Sequence, residues 1–153
     1  MKILEFLDEN RIISELTSTK KVEVLKELIA TLATYEKNID REELLRVLLE
    51  REELGSTGIG DGIAIPHGKL KGIDKIIAVF GRSFKGVDFK SMDGKMAQLL
   101  FLLVAPENSA GIHLKALARI SRLLKDSTFR KKLIEAKGST EILEVIRKED
   151  ERY

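Results

Sequence analysis

Residues 98–105, with the sequence QLLFLLVA, decide the fold class of this chain. Seven of these eight residues are apolar, and they lack the alternation of polar and apolar positions that marks a strand exposed on one face. A continuous apolar run of this length is typical of a central strand that is covered on both faces. We therefore expect a β-sheet that contains this strand and has helices packed on both of its sides.

The segments on either side of this run predict further strands and helices. Strands are predicted at residues 11–16 (RIISEL), 63–65 (IAI) and 75–84 (KIIAVFGRSF). The chain has no internal repeat and no proline-rich linker, so residues 1–153 are expected to form a single α/β domain, a mixed β-sheet flanked by helices on both faces. Helices are predicted to begin at residues that favour N-caps, namely Ser18 or Thr19, Asp40, Ser127 and Ser139, and a further helix is predicted from about Ser109 to Lys125.

The composition excludes several classes of protein. The chain has no cysteine, which removes disulfides, thiolate nucleophiles and cysteine-ligated metal centres. Its apolar runs fall short of the roughly 20 residues of a membrane helix, and the acidic residues in the first apolar stretch argue against a signal peptide. We therefore expect a cytoplasmic protein that is not embedded in a membrane. Nucleic-acid binding is not expected, because the net charge is only +2 and basic residues do not cluster with aromatic ones.

The first of the two histidines lies in a setting that favours chemistry. The sequence GSTGIGDG at residues 55–62 has four glycines in eight residues, and IAI then leads directly to Pro66, His67 and Gly68. Proline fixes its φ angle and glycine has no side chain, so this triplet presents an imidazole rigidly and leaves space for a large group. A neutral imidazole is a nucleophile near neutral pH. The pattern alone leaves a catalytic histidine and an incidental loop histidine equally open.

Two further residues are ambiguous when they are considered alone. His113 falls in the first turn of a helix predicted over residues 109–125, where an apolar stripe favours a core histidine but the helix N-terminus attracts anions. Arg51 ends the helix before the glycine-rich loop, where an arginine often only complements the helix dipole. A guanidinium can also bind a phosphoryl group through two hydrogen bonds. The loop itself lacks the lysine of a P-loop and is a weak phosphate motif.

Together these segments resemble a known family. The sequences LLEREELGSTGIGDGIAIPHGKL (48–70), DFKSMDGK (88–95) and LLFLLVAPENSAGIHLKALARISRLLKD (99–126) are similar, in order, to the enzyme IIA domain of the phosphoenolpyruvate-dependent sugar phosphotransferase system, in its fructose/mannitol class. Within that class the sequence looks most like the stand-alone nitrogen-regulatory enzyme IIA proteins. One departure is Met96, where such proteins often have a proline after Asp-Gly-Lys. It puts none of the site residues in doubt.

The resemblance implies that His67 is phosphorylated and that His113 and Arg51 lie beside it. It also implies that the carrier protein HPr donates the phosphoryl group and that a IIB domain accepts it, without a metal or an organic cofactor. A regulatory alternative remains open, in which the phosphorylation state selects protein partners without sugar transport. We also consider a metal site formed by both histidines and an acid such as Asp61, although no paired-ligand spacing such as His-x-x-x-His occurs. The residues predicted to stabilise phosphate from the loop are Ser56, Thr57, Gly58 and Gly68.

Overall fold

The computed structural model describes residues 1–153, which form a six-stranded sheet, five α-helices and two short 3-10 helices, Ile3–Glu5 and Glu9–Arg11. None of the helices is long and apolar enough to cross a membrane. The strands are β1 (Ile12–Ile13), β2 (Gly58–Gly60), β3 (Ile63–Ala64), β4 (His67–Leu70), β5 (Ile77–Val87) and β6 (Ala97–Pro106). The α-helices are α1 (Lys21–Tyr35), α2 (Arg41–Glu53), α3 (Ala110–Leu124), α4 (Ser127–Glu135) and α5 (Gly138–Arg152).

The predicted central strand is β6, and it pairs with three other strands. On one edge it is antiparallel to β5, which in turn pairs with β1 in parallel. On its other edge β3 and β4 follow each other along β6, both parallel to it, with Ile63 opposite Leu99 and His67 opposite Leu103. Strand β2 closes this edge as the antiparallel partner of β3. The sheet is mixed, as predicted.

Alternation along β6 divides the core into two halves. Leu99, Phe101 and Leu103 face the cluster that contains residues of α3, α4 and α5, while Leu100 and Leu102 face the cluster that contains residues of α1 and α2. All five side chains are at most 2% exposed. The prediction of a central strand covered by helices on both faces is therefore confirmed.

Three of the predicted helix caps are wrong. Asp40 does cap α2, because its side chain accepts a hydrogen bond from the Glu43 N–H at 3.1 Å. The cap of α4 is Asp126, not Ser127, because the carboxylate accepts from the N–H groups of two residues in the first turn. Lys20 and Lys137 occupy the N-cap positions of α1 and α5 without a side-chain cap. Neither Ser18 nor Thr19 therefore caps α1, and Ser139 lies inside α5.

Two strand predictions also need correction. The strand predicted at residues 11–16 is only the two-residue β1, because Arg11 ends a 3-10 helix and donates to the Ala78 carbonyl at 3.0 Å. The glycine-rich segment contains a strand that was not predicted. It forms a hairpin, β2–β3, through the two residues Asp61 and Gly62, whose φ angles of 56° and 76° are both positive, as a type I′ turn requires.

Gly68 permits a close approach between β4 and α2. A Cβ atom at this position would lie 2.6 Å from Val47 Cγ1 and 3.5 Å from Leu48 Cδ2. The missing side chain therefore makes room for helix α2, whereas the sequence analysis had expected room for a reacting group. The same packing fixes which way β4 faces, since successive side chains of a strand point to opposite sides.

We predict that Gly68→Ala lowers the free energy of unfolding by about 1–3 kcal/mol, because it overpacks this contact. The double variant Gly68→Ala with Val47→Ala should recover part of the lost free energy of unfolding. Gly111→Ala is the control, because a Cβ at Gly111 would meet nothing within 4 Å and alanine suits a helix better than glycine. The measurement is urea denaturation of wild type and the three variants. Wild-type stability in Gly68→Ala would contradict the packing role.

Candidate functional site

His67 is the first residue of β4, not the end of a loop as the sequence suggested. The Pro66 carbonyl accepts a hydrogen bond from the Leu103 N–H at 2.9 Å, so the sheet holds the backbone just before the histidine. Because the neighbouring Gly68 faces α2, the His67 side chain points to the opposite face, where α3 packs. The imidazole is only partly exposed, and its backbone belongs to a strand of the sheet.

A hydrogen bond to the backbone determines which nitrogen of His67 is available. Nδ1 lies 2.8 Å from the Ile65 carbonyl oxygen. A carbonyl oxygen can only accept, so Nδ1 carries the hydrogen and donates it. In the neutral ring the lone pair is then on Nε2.

The surroundings of His67 favour its neutral form. Burial lowers the pKa of His67 below its usual value, because a charged imidazolium would lose its hydration. The bond to Ile65 opposes this shift, the positive charge of Arg51 lowers the pKa further, and the carboxylate of Glu52 raises it. The net shift is downward, so most of the population at neutral pH is the nucleophilic form.

His113 lies in the first turn of α3 and meets His67. The two ring centroids are 5.5 Å apart, with the ring planes at 82°. His113 is 8% exposed, and its Nε2 is buried with no hydrogen-bond partner. Burial, with smaller contributions from His67 and Lys69, lowers the pKa of His113 to about 4. Buried polar atoms without partners are rare in folded proteins, and this one belongs to the ring that contacts His67.

Arg51 lies in the last turn of α2, close enough for its charge to act on His67. Its Nη1 donates to the Gly55 carbonyl at 2.9 Å, and it forms no ion pair with a carboxylate. Most of its five N–H donors are therefore not used by the protein. The structure thus brings together the three residues predicted to act on a phosphoryl group.

The residues predicted to stabilise phosphate from the loop make contacts within the protein instead. The Ser56 hydroxyl donates to the Phe89 carbonyl and accepts from the Gly58 N–H, each at 3.0 Å. Thr57 is 3% exposed, and both its N–H and its hydroxyl donate to Glu52. These donors of Ser56, Thr57 and Gly58 are engaged within the protein, and Gly68 packs against α2. The structure therefore uses these residues to build the loop and shows none of these donors free for phosphate.

Comparison with known proteins gives the family of the chain. The family model described as "Phosphoenolpyruvate-dependent sugar phosphotransferase system, EIIA 2" matches residues 5–149. The chain belongs to this EIIA family.

Its relatives include both regulatory and sugar-specific proteins. A nitrogen regulatory protein of Bradyrhizobium diazoefficiens is 42% identical over 95% of both chains. The fructose-specific EIIABC component of Bacillus subtilis is 40% identical over 98% of this chain, which spans only 24% of that longer protein. The crystal structure of nitrogen regulatory protein IIA-Ntr from Neisseria meningitidis superposes with a TM-score of 0.85 at 29% identity, covering 93% of this chain and 97% of the other.

The sequence analysis also considered a metal site formed by both histidines and an acid such as Asp61. The structure shows no such set of ligands. No group of three histidine, cysteine or acidic side chains comes together anywhere in the structure. Asp61 is exposed in the β2–β3 turn, where its N–H donates to Asp93 Oδ2 at 3.2 Å. Asp61 therefore does not join the two histidines in a three-residue ligand set.

Two charged residues beside the candidate site were not singled out from the sequence. They are Glu52, whose side chain is 4% exposed, and Lys21, which pairs with it at 2.8 Å. A signal for Glu52 was present in the sequence. It follows Leu44 and Leu48 at intervals of four residues, and both leucines are fully buried, so the spacing puts Glu52 on the inward face of α2.

The depressed pKa of His113 predicts a stability that depends on pH. In the unfolded chain His113 titrates near 6.5 and in the folded chain at about 4, so between these values the unfolded state binds more protons. The free energy of unfolding should fall as the pH drops through this window, with a full contribution on the order of 3 kcal/mol. His67 acts in the same direction.

His113→Gln should reduce this dependence, because glutamine does not titrate. The measurement is chemical denaturation of wild type and His113→Gln between pH 7 and pH 4.5. Parallel curves for the two proteins would show that His113 is not held neutral by the fold.

Proposed function

We propose that this EIIA chain is a phosphohistidine carrier in which His67 accepts a phosphoryl group from phosphorylated HPr and passes it to a IIB domain. The observation that carries the proposal is the contact between His67 and His113, with ring centroids 5.5 Å apart and a buried His113 Nε2 that has no partner. Membership of the EIIA family supports the carrier function.

The hydrogen bond between Nδ1 and Ile65 predicts the reacting atom. The Nε2 lone pair of neutral His67 attacks phosphorus, and a new N–P bond forms as the N–P bond of the HPr phosphohistidine breaks. The departing HPr imidazole keeps its own N–H, and His67 keeps its Nδ1–H on the Ile65 carbonyl. No proton needs to be transferred. In the second step a cysteine or histidine of the IIB domain attacks the same phosphorus, and His67 leaves as neutral imidazole.

Arg51 and His113 are placed to stabilise the transferring group. In phosphoryl transfer the charge spreads over three equatorial oxygens, so catalysis depends on positioning and on electrostatic stabilisation. Arg51 supplies a permanent positive charge with unused donors. His113 has a pKa of about 4, so it is neutral and can offer an N–H without the cost of a buried charge. A phosphoryl oxygen would also satisfy its unpartnered Nε2.

The loop acts on the reaction indirectly in this proposal. The hydroxyls of Ser56 and Thr57 and the N–H groups of Thr57 and Gly58 already have protein partners, so we assign them the task of holding the loop between Arg51 and β4. Gly68 contributes by letting β4 pack close to α2. This replaces the expectation that these residues bind phosphate directly.

A regulatory function is the second candidate, and the similarity to nitrogen regulatory proteins along nearly the whole chain favours it. A phosphoryl group on His67 would add up to about two negative charges to the surface that partners meet. Leu54 and Leu114, which are 85% and 68% exposed, lie within three residues of Arg51 and next to His113. Exposed apolar side chains of this size beside a charged site suit a protein partner.

The test is the rate of label transfer from phosphorylated HPr to purified variants. His67→Ala should take no label. Arg51→Met and His113→Ala should each slow transfer about 10- to 150-fold, the value of a hydrogen bond to a charged group. Arg51→Lys should recover only part of the loss, because an ammonium lacks the planar two-point geometry. The matched control is Arg46→Lys on the same helix, where Arg46 is exposed and pairs with Glu43 and Glu50.

Label in His67→Ala, or wild-type rates in both Arg51→Met and His113→Ala, would contradict the proposed site. A second arm adds an acceptor IIB domain of the fructose or mannitol class to the labelled protein. Passage of the label onward indicates the carrier function. Label that stays on His67 while the phosphorylated form changes its binding to other proteins indicates the regulatory one.

A further inference from the structure

A buried ion pair lies beside the site and has no part in the reaction as described. Lys21, in the first turn of α1, donates to Glu52 Oε1 at 2.8 Å. The exposed fractions of the two side chains are 15% and 4%. The desolvation cost of such a pair can exceed its Coulombic gain, so a buried ion pair by itself is weak evidence of a stabilising role. The position of the pair beside the loop and the His67 site indicates a different role.

The carboxylate of Glu52 is the anchor of the loop that leads to β2. Its Oε1 also accepts from the Thr57 N–H at 3.0 Å, and its Oε2 accepts from the Thr57 hydroxyl. The Thr57 carbonyl in turn accepts from the Ile65 N–H at 3.0 Å. Ile65 is the residue whose own carbonyl holds His67 Nδ1. A continuous chain of hydrogen bonds therefore connects Glu52 with the imidazole.

The ammonium of Lys21 is held from three sides. Besides Glu52, it lies 3.4 Å from Ser56 Oγ and 4.7 Å from the centroid of the Phe89 ring. A cation over an aromatic face gains a favourable interaction that is larger when the site is desolvated. These contacts hold the Lys21 ammonium against Glu52 and away from solvent.

We infer that Lys21 and Glu52 are positioning residues of the His67 site. Glu52 fixes the loop and, through Thr57 and Ile65, the orientation of the His67 ring. Lys21 neutralises that carboxylate so that the adjacent Arg51 keeps its charge for the phosphoryl group. Without Lys21, an uncompensated carboxylate would offset the charge of Arg51 and repel the incoming phosphoryl group. The effect on rate rests on the proposed function, whereas the effect on His67 does not.

The charges around His67 give this inference a direct readout. Arg51 and Glu52 approach from α2, His113 from α3, and Lys69 lies on the same strand. The negative charge of Glu52 raises the pKa of His67, and Arg51 lowers it. Removing either member of the pair between Lys21 and Glu52 therefore changes the field at His67, and the two removals act in opposite directions.

The experiment follows the His67 imidazole by NMR as a function of pH in isosteric or near-isosteric variants. Lys21→Met leaves the Glu52 carboxylate uncompensated and should raise the pKa of His67. Glu52→Gln removes the negative charge, keeps an oxygen that can accept from Thr57, and should lower it. The matched control is Lys20→Met, because Lys20 is the exposed neighbour and takes part in no ion pair. Its His67 titration should match that of wild type.

The second arm measures transfer from phosphorylated HPr. Lys21→Met should lower kcat about tenfold or more and leave KM for phosphorylated HPr unchanged, because the Lys21 side chain is only 15% exposed and offers little surface to a partner. Lys21→Arg should be close to wild type, and Lys21→Met combined with Glu52→Gln should recover part of the rate.

A shift of the His67 titration in the same direction in Lys21→Met and Glu52→Gln, or no shift in either, would overturn the inference. If Lys21→Met does not fold, the titration of Glu52→Gln decides alone: an unchanged or raised pKa of His67 contradicts the inference. If wild type itself takes no label, the carrier function fails, and the titrations still decide the role of the pair.

Discussion

The site depends on one constraint, the parallel pairing of two successive short strands with the same edge of β6. Strands β3 and β4 are separated by Ile65 and Pro66, and the Pro66 carbonyl stays bonded to Leu103 across the interruption. The chain cannot slip here without moving the apolar residues of a fully buried strand. His67 thereby receives both a fixed position in the sheet and a fixed side, facing α3. Its Nδ1 bond to Ile65 uses a carbonyl that the same interruption leaves out of the strand pairing with β6.

The proposed chemistry follows from the polar groups around the His67 ring that have no partner within the protein. The fold keeps His113 buried and neutral with one nitrogen unsatisfied, and it leaves Arg51 without a carboxylate. Each of these features is unfavourable or neutral for stability and becomes favourable when an anionic group arrives. By contrast, Glu52, the other ionisable residue of α2 close to His67, is fully engaged by Lys21 and Thr57. In the proposed function, the site therefore separates groups that maintain its shape from groups that would bind the phosphoryl group.

Much of the fold could be predicted from the sequence, because the strongest pattern in the sequence belongs to the central strand of the sheet. The apolar run at 98–105 predicted the buried strand, and the predicted Asp40 cap and the predicted helix around His113 were correct to within a residue or two.

The predictions failed where alternative local structures are close in energy. Ser127 and Asp126 are both good caps, and only the packed structure selects Asp126. The β2–β3 hairpin had an Asp-Gly signal at residues 61–62, hidden in a segment taken to be a loop. The role of Gly68 could not be predicted, because its neighbour Val47 is distant in sequence. His67, His113 and Arg51 were identified through the family resemblance, and the spacing alone did not decide their roles.

The central claim is that the Ile65 carbonyl holds His67 so that Nε2 is the acceptor of the phosphoryl group. The most direct test is ³¹P and ¹⁵N NMR of the protein after it has been phosphorylated by HPr, with histidine labelled at both ring nitrogens. We expect a single phosphohistidine on Nε2 of His67, with the Nδ1–H still bonded and with His113 unmodified. A phosphoryl group on Nδ1 of His67, or on His113, would contradict it.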